Sequence, residues 1–375
     1  MTSHTYWMNI LFITDFYKPH IGGVEKLFSS LAEELVKKGN QVTYITLKYD
    51  KKLNRTEDIN DVNVIRISSP TRLFFFIAAL PVIIREARKT DLIHTSTYSS
   101  AIGAWLGGWL CRKKTIITVH EFWGDIWLRL PYLSWIEKRF FRLFERCLFT
   151  LKFNQYVAVS DFTKNQLVKA GIHSEKITRI YNGIDYNLPT WNDPGLPFTF
   201  TFFGRAGASK GLDILLEASE KMVARHPGVK FKFIISPQTR KIFKKVTGQI
   251  MEGPLNKNAA LLSELPHEAL LKELLSSNCI IIPSLCEGFG FSAVETAAMK
   301  IPVISSDMGA LPEVVSGQAI TTKEYNAESL LLAMEAALAG DYDIIEQRKF
   351  TTEDFVRNHL KLYQKMITEE KNENN

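Results

Sequence analysis

Short apolar runs alternate with helical periodicities along the first half of the chain. Residues 9–14, Asn-Ile-Leu-Phe-Ile-Thr, have the unbroken apolar character of a buried strand. Val24, Leu27, Phe28, Leu31 and Leu35 then recur at helical spacing, up to a stop at Gly39. Residues 42–46, 62–67, 92–94, 115–119 and 156–159 repeat the strand signal. This alternation predicts an α/β domain with a doubly wound parallel sheet. The pattern dissolves after residues 181–185, Tyr-Asn-Gly-Ile-Asp, into a stretch marked by Pro189, Asn192, Pro194, Gly195 and Pro197. A second alternation follows, with strands over 198–203, 229–235, 259–262, 279–282 and 302–305. At 375 residues the chain exceeds what one core usually serves. Two similar domains are expected, 1–186 and 187–354, and a C-terminal helix near 355–370 is assigned to the first.

Two segments do not fit a plain sheet. Residues 73–84 form an apolar run interrupted by Pro81 and followed by Arg85, Arg88 and Lys89. At twelve residues the run falls short of the roughly 20 needed to cross a bilayer. Residues 126–152 interleave Trp127, Trp135, Phe140, Phe141 and Phe144 with Lys138, Arg139, Arg142, Arg146 and Lys152. That is the basic, aromatic-rich pattern of an interfacial helix, although a core-facing helix with a solvated basic face fits it equally well. Residues 72–89 and 126–152 are thus candidates for contact with an anionic membrane surface.

Charge sharpens this picture. Net charge is +6, but residues 1–186 carry 26 Lys and Arg against 17 Asp and Glu, whereas residues 187–375 carry 20 against 23. The basic surplus lies in the first half, where no nucleic-acid-binding motif occurs, so nucleic acid is not an expected partner. The cysteines at 111, 147, 279 and 286 lack metal-ligand spacing, and a reduced compartment is the simplest expectation. The start of the chain has the pattern of a strand rather than a leader. The expected location is cytoplasmic, peripheral on the inner face of the cell membrane.

Candidate chemistry concentrates where strands give way to glycine-rich turns. Cys279-Ile280-Ile281-Ile282 leads through Pro283-Ser284-Leu285-Cys286 to Glu287, and Gly288-Phe289-Gly290-Phe291 then opens a helix carrying Glu295. A helix start offers unpaired N–H groups and a positive dipole end to an anion, and the glycines let that anion approach the backbone. At about 1.5 Å per residue the two carboxylates lie roughly 12 Å apart, enough to bracket a diphosphate with a hydroxyl-bearing ring on each side. Gly204-Arg205-Ala206-Gly207-Ala208-Ser209-Lys210-Gly211 follows the first strand of the second half. Its two cations suit a leaving group on which negative charge builds. In the first half Gly22 and Gly23 open a helix, and His120 closes a strand just before Glu121-Phe122-Trp123. The carboxyl ends of strands in an open α/β sheet face the ligand crevice. No Gly-x-Gly-x-x-Gly follows the first strand, which weighs against a nicotinamide cofactor.

These segments together resemble the family 4 retaining glycosyltransferases of the GT-B fold, and the resemblance runs over nearly the whole chain. It implies two Rossmann-like doubly wound domains facing a central cleft. It also implies transfer of a sugar from a nucleotide-diphosphate sugar to a hydroxyl acceptor, with no metal and no other cofactor. The acceptor is a saccharide or a lipid-linked glycan. By the same resemblance Glu287 contacts the transferred sugar, Glu295 holds the ribose, and Arg205 and Lys210 neutralise the phosphates. Gly288, Phe289, Gly290 and Phe291 complete the donor loop. Gly22 and Gly23 approach the donor, and His120 contacts its sugar near the reacting carbon. Asp15, Lys18 and Trp123 fall on the acceptor side. The chain departs from the family pattern at Ser236-Pro237-Gln238 and at Leu262-Ser263-Glu264, where a glycine is usual, so the nucleobase and sugar stay open. An epimerase or phosphorylase on the same fold, or a non-catalytic scaffold that binds nucleotide-sugar, remains an alternative.

Overall fold

The structure, a computed structural model, describes residues 7–373 except Ile21 and Gln238, so the departure at 236–238 lies partly outside the described residues. The chain divides into two compact units. One comprises Met1–Gly124, Leu143–Gly183 and Thr351–Asn375; the other comprises Asp125–Arg142 and Ile184–Phe350.

The first unit is built on β1 (Asn9–Ile13), β2 (Gln41–Leu47), β3 (Thr56–Ile59), β4 (Val62–Ile67), β5 (Leu92–Ser96), β6 (Lys114–Val119), β7 (Gln155–Ala158) and β8 (Ile177–Arg179). Their order is β3-β4-β2-β1-β5-β6-β7-β8, and all pairings are parallel except β3 with β4. The chain winds outward from β1 through β2 and then crosses to β5, so the topological switch point lies between β1 and β5. Helices α1 (Gly23–Lys37), α2 (Phe75–Ala87), α3 (Ser99–Cys111) and α5 (Asp161–Lys169) accompany these strands, whereas α4 (Trp135–Leu148) begins in the Asp125–Arg142 segment of the second unit and ends in the first. The apolar face foreseen for α1 is buried at Leu27, Phe28, Leu31 and Leu35. β3, with the sequence Thr-Glu-Asp-Ile, and the three-residue β8 carry too little apolar pattern to be read in advance.

The apolar run interrupted by Pro81 forms one helix, α2, with the proline inside it; the carbonyl that loses its partner belongs to Ile77, an exposed residue. One local expectation is corrected. His94 does not end its strand but sits inside β5, fully buried.

The second unit has β9 (Thr199–Arg205), β10 (Lys230–Ser236), β11 (Ala259–Leu262), β12 (Cys279–Ile282), β13 (Val303–Ser306), β14 (Gly317–Thr322) and β15 (Asp343–Ile345) in the order β11-β10-β9-β12-β13-β14-β15. Only β15 runs antiparallel to its neighbour. Helices α6 (Leu212–Arg225), α7 (Arg240–Glu252), α8 (His267–Leu275), α9 (Phe291–Met299), α10 (Leu311–Val314) and α11 (Ala327–Leu338) cover this sheet. Its core is aromatic on the β9 and β10 side: Phe200 packs against Phe231, and Phe231 against Phe233, at 5.6 and 6.1 Å between ring centres. Truncating such a ring to alanine costs about 3–5 kcal/mol. Here the switch point falls between β9 and β12, the two strands that deliver the Arg205–Lys210 and Glu287 segments.

The chain then returns to the first unit as α12 (Thr352–Glu373). Polar contacts and rings tie it down. Tyr363 Oη lies 2.6 Å from His94 Nδ1, while His94 Nε2 lies 2.8 Å from the Thr118 hydroxyl. His359 Nδ1 donates to the Phe355 carbonyl at 2.9 Å and its ring stacks on His94 at 5.6 Å. Among the described residues no helix is long and apolar enough to cross a membrane.

Candidate functional site

In the second unit the turn after β9 and the turn after β12 lie against each other. The Leu285 N–H donates to the Ser209 carbonyl at 2.7 Å. Gly211 has φ +67°, and a Cβ there would sit 1.9 Å from the Pro283 carbonyl oxygen, so only glycine lets the two turns touch. That contact delivers Lys210 to Glu287. The Lys210 ammonium donates to Glu287 Oε1 at 2.7 Å, with both side chains largely buried. The Ser284 hydroxyl donates to the same oxygen at 2.8 Å, and Ser306 donates to the Ser284 carbonyl at 2.5 Å. From the β13 side the Ala310 N–H bonds the Glu287 carbonyl at 2.9 Å. Gly309 (φ +64°) makes room for this, since a Cβ there would lie 2.6 Å from both the N and O of Glu287.

Ser284, Ser306 and Gly309 thus support Glu287, and none was assigned that role from the sequence. A glycine just after β13 was visible, but nothing in the pattern tied it to a turn more than twenty residues earlier. We expect Gly211→Ala to destabilise the second unit by about 1–3 kcal/mol, through positive φ and overlap with a backbone oxygen. A thermal melt unchanged from wild type would contradict the close approach.

The remaining donor-side positions lie at the end of β9, in the turn after β12 and on α9. Arg205 is the last residue of β9 and is exposed. Gly290 (φ +92°) is the N-cap of α9, which starts at Phe291 and carries half-buried Glu295. Phe289 is buried, edge-on to Phe291 and Phe350, so this residue offers its backbone to the turn and its ring to the core.

In the first unit the expected residues fall at the carboxyl ends of β1 and β6. Gly22 is the N-cap of α1 and Gly23 its first residue. Asp15 Oδ2 accepts from Arg72 Nε at 3.1 Å and from the Ser99 hydroxyl at 2.8 Å, whereas its buried Oδ1 has no hydrogen-bond partner among the described residues. Lys18 pairs with Glu33 of α1. His120 follows β6 with Phe28 edge-on at 5.7 Å, and neither ring nitrogen has a hydrogen-bond partner among the described residues. Burial, and secondarily the His359 ring, push its pKa down to about 3, so the imidazole is neutral at physiological pH.

Trp123 lies in a turn held by Glu145, a residue not singled out from the sequence. The buried Glu145 carboxylate accepts from the backbone N–H of Trp123 at 3.1 Å and of Gly124 at 2.6 Å, and from Tyr98 Oη at 2.9 Å. A single buried acid on α4 therefore organises the turn after His120. Elsewhere α4 is open: Trp135, Ile136, Phe140 and Leu143 are each more than half exposed.

Comparison with known proteins accounts for both units. Residues 21–188 match the family described as Glycosyltransferase Family 4, and residues 189–353 match Glycosyl transferases group 1. The chain is 24% identical over 376 residues to the phosphatidylinositol N-acetylglucosaminyltransferase GPI3 subunit of Saccharomyces cerevisiae, covering 95% of this chain and 79% of that protein. It is 25% identical to a phosphatidylinositol N-acetylglucosaminyltransferase subunit of Homo sapiens, covering 90% and 70%. In structure it resembles sucrose-phosphate synthase from Thermosynechococcus elongatus, with a TM-score of 0.76 at 19% identity over 96% of this chain and 99% of that one. Anabaena Alr3699/HepE, solved with UDP and glucose, gives 0.72 at 16% identity over 96% and 100%. These likenesses establish the GT-B fold.

Proposed function

Because this chain belongs to family 4 of the GT-B glycosyltransferases, we propose that it moves a hexose-type sugar from a nucleoside-diphosphate sugar to a hydroxyl of a lipid-linked acceptor, with retention and without a metal. The observation that carries the donor half of this reading is the Lys210–Glu287 pair at the switch point of the second sheet, beside the start of α9. An ammonium has three donors, and Glu287 takes one of them. The others are left for a phosphate oxygen, so one lysine links the leaving group to the carboxylate that orients the sugar. Arg205, exposed at the end of β9, adds the second cation. Unpaired N–H groups at the α9 N-terminus stabilise charge on the departing diphosphate, and Glu295 one turn later takes the ribose hydroxyls. The departing phosphate accepts the acceptor's proton, which lets the sugar keep its configuration. The neutral imidazole of His120 serves as a hydrogen-bonding partner rather than a cation.

The relatives named for phosphatidylinositol support a lipid-linked acceptor. So does α4, whose exposed Trp135, Ile136, Phe140 and Leu143 alternate with Lys138, Arg139, Arg142 and Arg146 in the manner of a helix lying on an anionic bilayer.

The test is turnover of uridine, guanosine and adenosine diphosphate-sugars, with and without lipid acceptors, in chelator. We expect one donor to react only when acceptor is present, to resist chelation, and to yield a product with the donor's anomeric configuration. Consumption of donor without acceptor would point to an epimerase, and inversion would remove the mechanism.

A further inference from the structure

At the end of β6 opposite His120, the first unit carries a groove of about 640 Å3 between the end of α3, the start of β6 and the loop before β7. Trp105, Trp109, Leu110, Arg112, Lys113 and Lys152 line it, and none of its described lining residues is acidic. Its floor is fixed. Asn154 Oδ1 accepts from the Thr115 N–H at 2.8 Å and from the Thr115 hydroxyl at 3.1 Å, and the Asn154 N–H returns a bond to the Thr115 carbonyl at 3.1 Å. Its wall is fixed as well. A Cβ at Gly108 would meet Thr115 Cγ2 at 2.2 Å, and one at Gly107 would meet Ile83 Cγ2 at 2.3 Å, so the last turn of α3 is pressed onto β6 and α2. Arg112 ends the helix in the left-handed conformation, with the Lys113 N–H closing on the Gly108 carbonyl at 2.9 Å.

This packing holds Trp109 67% exposed and Leu110 48% exposed beside the cations. Cations at helix ends often only complement the dipole, which would explain Arg112. Lys113 and Lys152 lie outside any helix, and neither they nor Arg112 form an ion pair among the described residues. On the adjoining α2, by contrast, Arg85 and Lys89 are already paired with Glu86. An indole and a leucine left in water beside unpaired cations have the composition of an interfacial anchor. A single-stranded nucleic acid would call instead for successive open rings on which bases stack; here Trp105 is half-buried and Leu110 has no π face.

We propose that this groove docks onto the anionic headgroups of a phospholipid bilayer, with Trp109 and Leu110 entering the interface and Arg112, Lys113 and Lys152 meeting lipid phosphates. It is separate from α4 and from the donor chemistry.

The test is co-sedimentation of the full chain with phosphatidylcholine vesicles, with or without phosphatidylglycerol, at about 0.1 M salt. The wild type should partition onto the anionic vesicles and lose them as salt rises. Arg112→Gln/Lys152→Gln should weaken partition about 25-fold, at about 1 kcal/mol per cation, with an unchanged melting temperature. Trp109→Ala should weaken it independently of charge. Wild-type partition by the groove variants would overturn the proposal. So would displacement by inorganic phosphate at constant ionic strength, or selective loss of single-stranded RNA binding in the groove variants. The readout is partition, so failure of sugar transfer would leave this result standing, and the reverse also holds.

Discussion

Lys210→Ala and Glu287→Ala should each lower turnover by about 100-fold or more, on the order of 3 kcal/mol of transition-state stabilisation. The two side chains share one hydrogen bond in a largely buried pocket at 17% and 7% exposure. Removing the lysine takes away a cation from the departing diphosphate and also the partner that holds Glu287 on one side. Removing the glutamate leaves the lysine charged but unaimed. The losses should therefore be strongly non-additive in the double variant. Ser284→Ala removes the other donor to Glu287 Oε1 and should cost less, because the lysine contact survives. Steady-state kinetics on all four variants, alongside thermal melts to separate folding from chemistry, provide the check. Near-normal turnover in both single variants would remove the proposed roles of this pair.

Acidification should destabilise the first unit well before its carboxylates titrate. Burial pushes the pKa of His359 down to about 4 and of His120 down to about 3, and that of fully buried His94 well below the ordinary range. In the unfolded chain these rings titrate near 6.5. Between about pH 6.5 and 4 the unfolded state therefore binds more protons than the native one, and stability falls as pH falls through that window. His359 and His120 each lower stability by up to about 1.4 kcal/mol per pH unit, or roughly 3 kcal/mol by pH 4, and His94 acts in the same direction. For His359 and His120 together that is already a large share of the stability of a typical domain. The upper part of the window, about pH 6.5 to 5, lies above ordinary carboxylate titration and so isolates the histidines. Melting temperature should drop steeply there, and His359→Leu should flatten the slope by about a third. A flat profile from pH 7 to 5 would contradict the buried, neutral state of this cluster, which anchors α12 to β5 and β6 through His94, Tyr363 and Thr118.

Much of the architecture was legible along the chain, because its signals are local. An apolar, β-branched run such as residues 279–282 can do little but lie inside a sheet, and a glycine turn followed by helical spacing marks the start of α9. The segments bearing Arg205, Lys210, Glu287 and Glu295 were singled out in the same way, from residue types and spacing that suit an anion at a helix start. What the chain could not announce are contacts between turns distant in sequence. Lys210 and Glu287 are 77 positions apart, and they meet because Gly211 has no side chain to hold Pro283 away. Gly309 admits the Glu287 backbone for the same steric reason. Glu145 drew no attention in the sequence, yet folding buries it where it accepts from the Trp123 and Gly124 N–H groups. Nothing around Asp15 in the chain announced the Arg72 and Ser99 contacts that fix its Oδ2. Periodicity reports which face of an element is apolar, and so determined the two doubly wound sheets and the loops at their strand ends. Only tertiary packing decided which of those loops touch, because that depends on close approach between backbones that no local pattern encodes.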